Sequence, residues 1–159
     1  MSGILVSGIL MGVLGTVLMD LWALMLARLA DIPAPNWAMV GRWFVHVWRG
    51  RVFHAAISSA DEVSNERAIG WFFHYGVGIL YGVALAFLMG SAWLSSPTFG
   101  AAWLFSLLMV GFGWFLLQPG LGLGLGWAAS KTPQPWKVRG LNLAAHTVFG
   151  FGLWLGAFI

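Results

Sequence analysis

Cysteine is absent from this sequence. Its absence excludes disulfide bonds, thiolate zinc sites, ordinary iron–sulfur clusters and c-type haem attachment, because each of these needs a cysteine sulfur. Charged residues are also scarce and make up 8% of the chain, against about 25% in soluble globular domains. So few charges could not cover the surface of a water-soluble protein of 159 residues. The composition therefore predicts a single membrane domain over residues 1–159.

Apolar residues, by contrast, make up 60% of the chain, and most of them fall in four long runs. A helix needs about 20 residues to cross the hydrocarbon core of a bilayer, and each run has about that length. We therefore predict an all-α integral membrane protein that forms a bundle of four transmembrane helices. The predicted spans are residues 4–29, 69–89, 99–117 and 141–159.

The basic residues predict how the chain is oriented in the membrane. All eight Lys and Arg residues lie within residues 28–67 and 131–139. Because cytoplasmic loops are enriched in Lys and Arg, we place segments 30–68 and 118–140 on the cytoplasmic side and both termini outside. This is the topology of a multi-pass membrane protein. It also accounts for the net charge of +3, so no nucleic-acid partner is expected.

The cytoplasmic segments have two recognisable features. Asn36 is a candidate N-cap, and apolar residues recur at helical spacing over residues 37–48. Arg42 and His46 fall on the other face, which predicts an amphipathic interfacial helix with its basic side towards the lipid headgroups. Residues 121–127 alternate Leu and Gly, which predicts a bent or re-entrant segment packed into the protein.

Small or polar residues recur at every fourth position in three of the predicted spans. The stripes are Gly8, Gly12, Thr16 and Asp20 in the first span, Gly70, His74, Gly78, Gly82, Ala86 and Gly90 in the second, and Asn142, His146 and Gly150 in the fourth. Their ionisable members are Asp20, His74 and His146. Residues four apart share a helix face, and small residues let membrane helices approach closely, so these side chains are expected to face other helices. Each also lies seven or eight residues from a basic residue, which predicts a similar depth for all three.

Ionisable side chains inside a membrane mark functional sites by default. We therefore predict a polar site at Asp20, His74 and His146 near the cytoplasmic face. The same three residues are the candidate ligands for a divalent metal, and the two histidines are candidate axial ligands for haem iron. Further residues expected at or near the site are Tyr75, Asn142, Gln118, His54, Arg42, Arg51 and Arg139.

Three functions remain open at this point. One is the binding or translocation of a proton, a metal ion or a small anionic ligand. Another is a membrane-embedded enzyme that acts on a lipid or quinone-like substrate with metal or haem, although no known catalytic signature is present. The third is a structural or accessory subunit whose polar residues bond helices together. Basic residues at the inner rim are expected to contact anionic headgroups, and the stripes are compatible with a homo-oligomer.

Ordered motifs along nearly the whole chain are typical of one known family. They are Met19-Asp20, Asn36-Trp37, Gly41-Arg42-Trp43, Arg49-Gly50-Arg51, His54, Gly70-Trp71, His74-Tyr75, Gln118-Pro119, Ala128-Ala129-Ser130-Lys131-Thr132-Pro133, His146 and Phe149-Gly150-Phe151-Gly152-Leu153. On these motifs the sequence resembles a bacterial family of small membrane proteins known as domain of unknown function 2938. The resemblance implies a bacterial inner-membrane protein. It implies no activity, and no functional residue follows from it.

Overall fold

The computed structural model describes residues 1–126 and 129–159, and most of these residues are helical. The all-α prediction is therefore confirmed. The elements in chain order are α1 (Ser2–Leu29), α2 (Trp37–Trp48), a 3-10 turn (Ile57–Ser59), α3 (Glu66–Ser95), α4 (Phe99–Phe112), a π-helical stretch (Gly113–Leu117), α5 (Gln118–Leu121), the two-residue strands β1 (Gly124–Leu125) and β2 (Ala129–Ser130), and α6 (Pro135–Gly156).

Three helical segments within residues 1–126 and 129–159 are long and apolar enough to cross a membrane. They are Ser2–Leu29, Glu66–Ser95 and Phe99–Leu121, and they contain three of the four predicted spans. Many of their large apolar side chains are exposed, among them Val6, Leu21, Phe72, Leu88, Leu104 and Leu108. Such a surface is unusual on a soluble monomer and is consistent with a membrane protein.

Most of the fourth predicted span lies in α6, which is 22 residues long but is not among those three segments. The hydropathy of α6 is lowered by Arg139, Asn142 and His146. A helix of this length is able to cross a bilayer. The fourth span therefore stays a prediction.

The chain divides into two compact units. The first unit comprises Met1–Ala34, Tyr75–Met109 and Leu143–Ile159, and the second comprises Pro35–His74 and Val110–Asn142. The long helices α3 and α6 contribute residues to both units. That the whole chain forms one membrane domain stays a prediction.

In the first unit, α1 and α3 meet through the predicted small-residue stripes. A Cβ atom added to Gly12 would overlap the carbonyl oxygen of Gly78, and one added to Gly82 would overlap the backbone of Gly8 and Gly12. The two backbones therefore approach as closely as glycine allows. This is the packing expected of small residues between membrane helices.

Another contact of α1 is with α6, through residues outside the predicted stripe of that helix. A Cβ atom on Gly152 would lie 2.5 Å from Cα of Gly15, and one on Gly156 would lie 2.6 Å from Cα of Met11. Gly150, which belongs to the stripe, packs instead against α4. The buried apolar core of this unit consists of Met11, Leu85, Ala86, Trp93, Ala102, Phe149, Leu153 and Ala157.

Two irregularities interrupt the long helices. Gly90 has a φ of 72° inside α3, so the regular helix breaks where the predicted second span ends. Helical structure after α4 continues to Leu121, beyond the predicted end of the third span at residue 117. Pro119 lies at the start of α5, directly after the π-helical stretch, and the Trp114 carbonyl oxygen five residues before it accepts from the Gly126 N–H at 3.0 Å.

The predicted bend within residues 121–127 is present. Helix α5 ends at Gly122, whose left-handed φ of 85° is readily adopted only by glycine. The strand β1 then pairs antiparallel with β2, with Gly124 opposite Ser130. Residues 127 and 128, in the predicted bend and the family motif, lie outside the described residues.

Candidate functional site

Helix α2 begins where the sequence predicts, but two residues of its predicted headgroup-facing side are buried. The Asn36 side chain accepts a 3.1 Å hydrogen bond from the Ala38 N–H and caps the helix. Arg42 and His46 are buried, with 3% and 5% of their surface exposed, whereas Trp48 is 79% exposed. The prediction that Arg42 and His46 face headgroups is therefore wrong. Both side chains face inward because the groups with which they form hydrogen bonds lie within the second unit.

The principal partner of Arg42 is Glu66, at the start of α3. Arg42 Nε donates to Glu66 Oε2 at 2.8 Å, and Nη2 donates to Oε1 at 2.9 Å. Nη1 donates to carbonyl oxygens between Ile57 and Ala60 at 3.1–3.4 Å. Glu62 also lies 3.4 Å from the guanidinium, but its side chain is 88% exposed and contributes little.

These contacts give Arg42 a structural role, and its role in ligand binding stays a prediction. The hydrogen bond with Glu66 raises the pKa of Arg42, so the guanidinium stays charged despite its burial. All of its nitrogen atoms donate to groups of the protein itself. Arg42 thereby joins α2, the 3-10 turn and the start of α3.

A close crossing of α2 and α3 places these groups together. A Cβ atom on Gly41 would overlap the carbonyl oxygen of Glu66, and one on Gly70 would overlap that of Trp37. Only glycine permits this approach at both positions. The crossing also stacks His74 on Trp37, with ring centroids 3.9 Å apart. The predicted site residue His74 therefore lies against an indole ring in the second unit.

A pair of histidines lies beside the Arg42 network. His46 Nδ1 is 3.0 Å from His54 Nε2, and both side chains are buried. The second nitrogen of each ring faces a backbone carbonyl oxygen: Asp61 at 3.1 Å from His46 Nε2 and Gly120 at 3.0 Å from His54 Nδ1. The pair thereby links α2 to α5 and to the segments on either side of the 3-10 turn.

A pocket of about 210 Å³ opens next to this pair. Its lining residues are Arg51, Ala55, Ala56, Ser59, Ala60 and Asp61. Arg51, a predicted anion-binding residue, is exposed at this pocket. Asp61 links the pocket to the histidines, because its carbonyl oxygen faces His46.

Three other predicted residues lie in the part of the second unit that follows α4. Arg139 is buried: its Nε donates to the Gly126 carbonyl oxygen at 2.7 Å, and its guanidinium lies 4.5 Å from the ring centre of Trp136. Gln118 Oε1 is buried and accepts no hydrogen bond from the residues that the structure describes. Asn142 is half-buried on α6. Arg139 is thus not an exposed residue of a basic rim.

The first unit contains Asp20, Tyr75 and His146. The Tyr75 hydroxyl on α3 donates a 2.9 Å hydrogen bond to Asp20 Oδ2 on α1. His146 packs edge-on against Phe149, with ring centroids 6.5 Å apart, and its carbonyl oxygen accepts from the Ser106 hydroxyl. Two residues predicted to share a site, Asp20 and Tyr75, are therefore in direct contact.

The predicted metal centre receives no support. Within residues 1–126 and 129–159, no group of three or more His, Asp or Glu side chains is arranged to hold a metal ion. Asp20 and His146 belong to the first unit and His74 belongs to the second. The convergence of these three side chains stays a prediction.

Sequence reasoning missed the roles of His46 and Glu66. His46 follows Arg42 by four residues, so both lie on one face of α2, and that polar stripe was the available signal. Glu66 stands next to a long apolar run, where a carboxylate is expected to need a partner. His54 was predicted from its position alone, and its contact with His46 had no spacing signature.

Comparison with known proteins identifies the family. Neither the curated proteins nor the solved structures include a match to this chain. The model of the family described as "Protein of unknown function (DUF2938)" matches residues 9–159. Because this match covers nearly the whole sequence, it confirms the resemblance seen in the motifs. The chain belongs to the DUF2938 family.

Proposed function

We propose that this protein is a multi-pass bacterial inner-membrane protein that binds and translocates protons at a site centred on Asp20 and Tyr75. The observation that carries the proposal is the 2.9 Å hydrogen bond from the Tyr75 hydroxyl to the Asp20 carboxylate. It joins α1 and α3, both of which are long and apolar enough to cross a membrane. An ionisable residue inside a membrane is costly and is by default a functional one.

The chemistry of the pair favours a proton over the other ligands considered. A carboxylate repels anions, so a small anionic ligand does not suit Asp20. A metal ion would need more ligands than this pair provides, and the described residues contain no three-membered group for one. A proton needs only the carboxylate oxygen. His146, in the same unit, is the further ionisable side chain that we propose for the path.

Protonation would change the pair in a defined way. While Asp20 is ionised, the Tyr75 hydroxyl stabilises its charge by donating to it. Uptake of a proton neutralises Asp20, which no longer needs that donor. Release of the proton towards the other side restores the charge and the hydrogen bond. Such a cycle requires no ligand other than the proton.

The lipid contact predicted for the cytoplasmic side is retained with a smaller set of residues. Arg42 and Arg139 are buried and do not belong to it. We propose that anionic headgroups contact the predicted rim residues that are exposed, which are Arg49, Arg51, Lys131 and Lys137. The glycine stripes of α1 and α3 pack within one chain, so a homo-oligomer is not needed to bury them.

The test is proton flux into liposomes that contain the purified protein. An imposed potassium diffusion potential drives protons inward, and a trapped pH-sensitive dye reports their entry. Wild-type protein is expected to raise the flux well above that of empty liposomes. Asp20→Asn should remove this increase, and Tyr75→Phe should reduce it roughly tenfold, as expected for the loss of one hydrogen bond to a charge.

The matched control is Asp31→Asn, because Asp31 is exposed, lies outside the helices and undergoes the same change of charge. This variant should conduct like the wild type. If wild-type liposomes take up protons no faster than empty ones, or if Asp20→Asn conducts normally, the proposal is wrong. A wild-type protein that conducts no protons, together with an Asp20→Asn protein of lowered stability, would favour the structural role instead.

A further inference from the structure

His46 and His54 form a hydrogen-bonded chain that begins and ends on backbone carbonyl groups. The chain runs from the Asp61 carbonyl oxygen to His46 Nε2 at 3.1 Å, from His46 Nδ1 to His54 Nε2 at 3.0 Å, and from His54 Nδ1 to the Gly120 carbonyl oxygen at 3.0 Å. The two histidines are 5% and 7% exposed. Water therefore has little access to the four ring nitrogens.

The protons of this chain are determined by its acceptors. A carbonyl oxygen only accepts hydrogen bonds, so His46 Nε2 and His54 Nδ1 must each carry a proton. A neutral imidazole carries one N–H, and these two positions use the single proton of each neutral ring. His46 Nδ1 and His54 Nε2 would then oppose two lone pairs at 3.0 Å. A third proton between them removes this repulsion and completes the chain.

We infer that His46 and His54 form a proton-binding site, in which one additional proton is shared between His46 Nδ1 and His54 Nε2. The pair then carries a single positive charge and all of its ring nitrogens are satisfied. This site lies in the second unit, does not involve Asp20, and is independent of the proposed function. The bound proton holds together α2, the loop that carries His54, the segment at Asp61 and α5.

The charged groups around the pair are compatible with one positive charge. Arg42, one turn earlier on α2, is already paired with Glu66. From α5 the pair meets only the Gly120 carbonyl oxygen, and α5 contains no charged residue. The charged residues of the neighbouring segments are Arg49, Arg51, Asp61 and Glu62, all of which are exposed.

The loss of the shared proton has a local consequence. Two neutral rings cannot keep both carbonyl contacts and also remain 3.0 Å apart. One ring must turn away, which breaks the link from α2 either to Asp61 or to Gly120. Proton binding therefore holds these segments together, and proton release frees them.

The test is nitrogen-15 NMR of the histidine rings in the full-length protein, purified in detergent at neutral pH. His46→Asn and His54→Gln assign the two signals, and His74 and His146 serve as internal references. We expect three ring protons on the His46–His54 pair and an intermediate nitrogen shift for His46 Nδ1 and His54 Nε2. In His54→Gln, the neutral amide is expected to donate to His46 Nδ1, so His46 should become an ordinary neutral ring.

Two results would overturn the inference. One is a wild-type spectrum in which His46 Nδ1 and His54 Nε2 both have the shift of a nitrogen that carries a free lone pair. The other is a spectrum in which both rings are fully protonated. The wild-type spectrum alone decides between these outcomes. If one variant fails to fold, the other variant assigns the signals. Neither result bears on proton flux through Asp20.

Discussion

Arg42 and Glu66 lie 24 residues apart in the sequence and meet through two hydrogen bonds of 2.8 and 2.9 Å. The arginine side chain is 3% exposed and that of the glutamate 18% exposed. The pair fastens the segment between α2 and α3 to α2 itself. Because a buried guanidinium without its carboxylate is strongly unfavourable, the contribution of Glu66 to stability can be measured directly.

Glu66→Gln should lower the free energy of unfolding by about 3–5 kcal/mol, the cost of leaving a buried charge without its partner. Glu62→Gln is the matched control, because the Glu62 side chain is 88% exposed and also contacts Arg42. It should change stability by less than about 1 kcal/mol. Thermal unfolding in detergent, followed by tryptophan fluorescence, measures both. Equal effects of the two substitutions would show that Arg42 does not depend on Glu66.

The glycine contact between α1 and α3 leads to a second prediction. Gly12→Ala should destabilise the first unit by about 1–3 kcal/mol, because its Cβ atom would overlap the Gly78 backbone. Gly76→Ala is the control, since a Cβ atom on that α3 residue meets nothing within 4 Å. It should stabilise the helix by about 0.5–1 kcal/mol. The midpoint of thermal unfolding should therefore move in opposite directions for the two variants, and a shift in the same direction would contradict the packing.

The fourth predicted span is tested by the location of the C-terminus. If α6 crosses the membrane, a C-terminal alkaline phosphatase fusion should be active, because that enzyme works only outside the cytoplasm. A phosphatase inserted at Gly50 should be inactive, and one inserted between α3 and α4 should be active. A green fluorescent protein fusion at the C-terminus provides the complementary reading. Fluorescence of that fusion would place the C-terminus inside and leave three spans.

Much of the fold could be predicted from the sequence because the signals are local. The apolar runs anticipated the helices that contain three of the spans, and Asn36 marked the start of α2. The every-fourth-residue stripes of α1 and α3 predicted that each helix packs closely against another helix, because close approach of two backbones requires small residues, but they did not predict that these two helices meet each other. Tyr75 follows His74 and lies outside the stripe of α3, so it was predicted only as a further residue of the site and its contact with Asp20 was not.

The orientation of α2 could not be predicted in the same way. Periodicity shows that a helix has two faces, but it does not show which face meets the rest of the protein. Burial of Arg42 depends on Glu66 and on backbone carbonyl groups, and burial of His46 depends on the carbonyl group of Asp61. Every residue has a backbone carbonyl group, so the sequence does not show which carbonyl oxygens will accept these hydrogen bonds. The contact between His46 and His54 therefore could not be predicted without knowing the position of the loop that carries His54.

The π-helical stretch Gly113–Leu117 has one further consequence, for how the chain tolerates a change of length. A π-helical turn is equivalent to one residue inserted into an α-helix. The wider turn absorbs that residue, so deleting one residue there should restore a continuous α-helix and leave the following residues near their present orientation, whereas deleting two should rotate them by about 100°. After the second deletion Gly120, whose carbonyl oxygen meets His54, would point elsewhere. In DUF2938 proteins this short stretch should therefore lose no more than one residue wherever both histidines are kept.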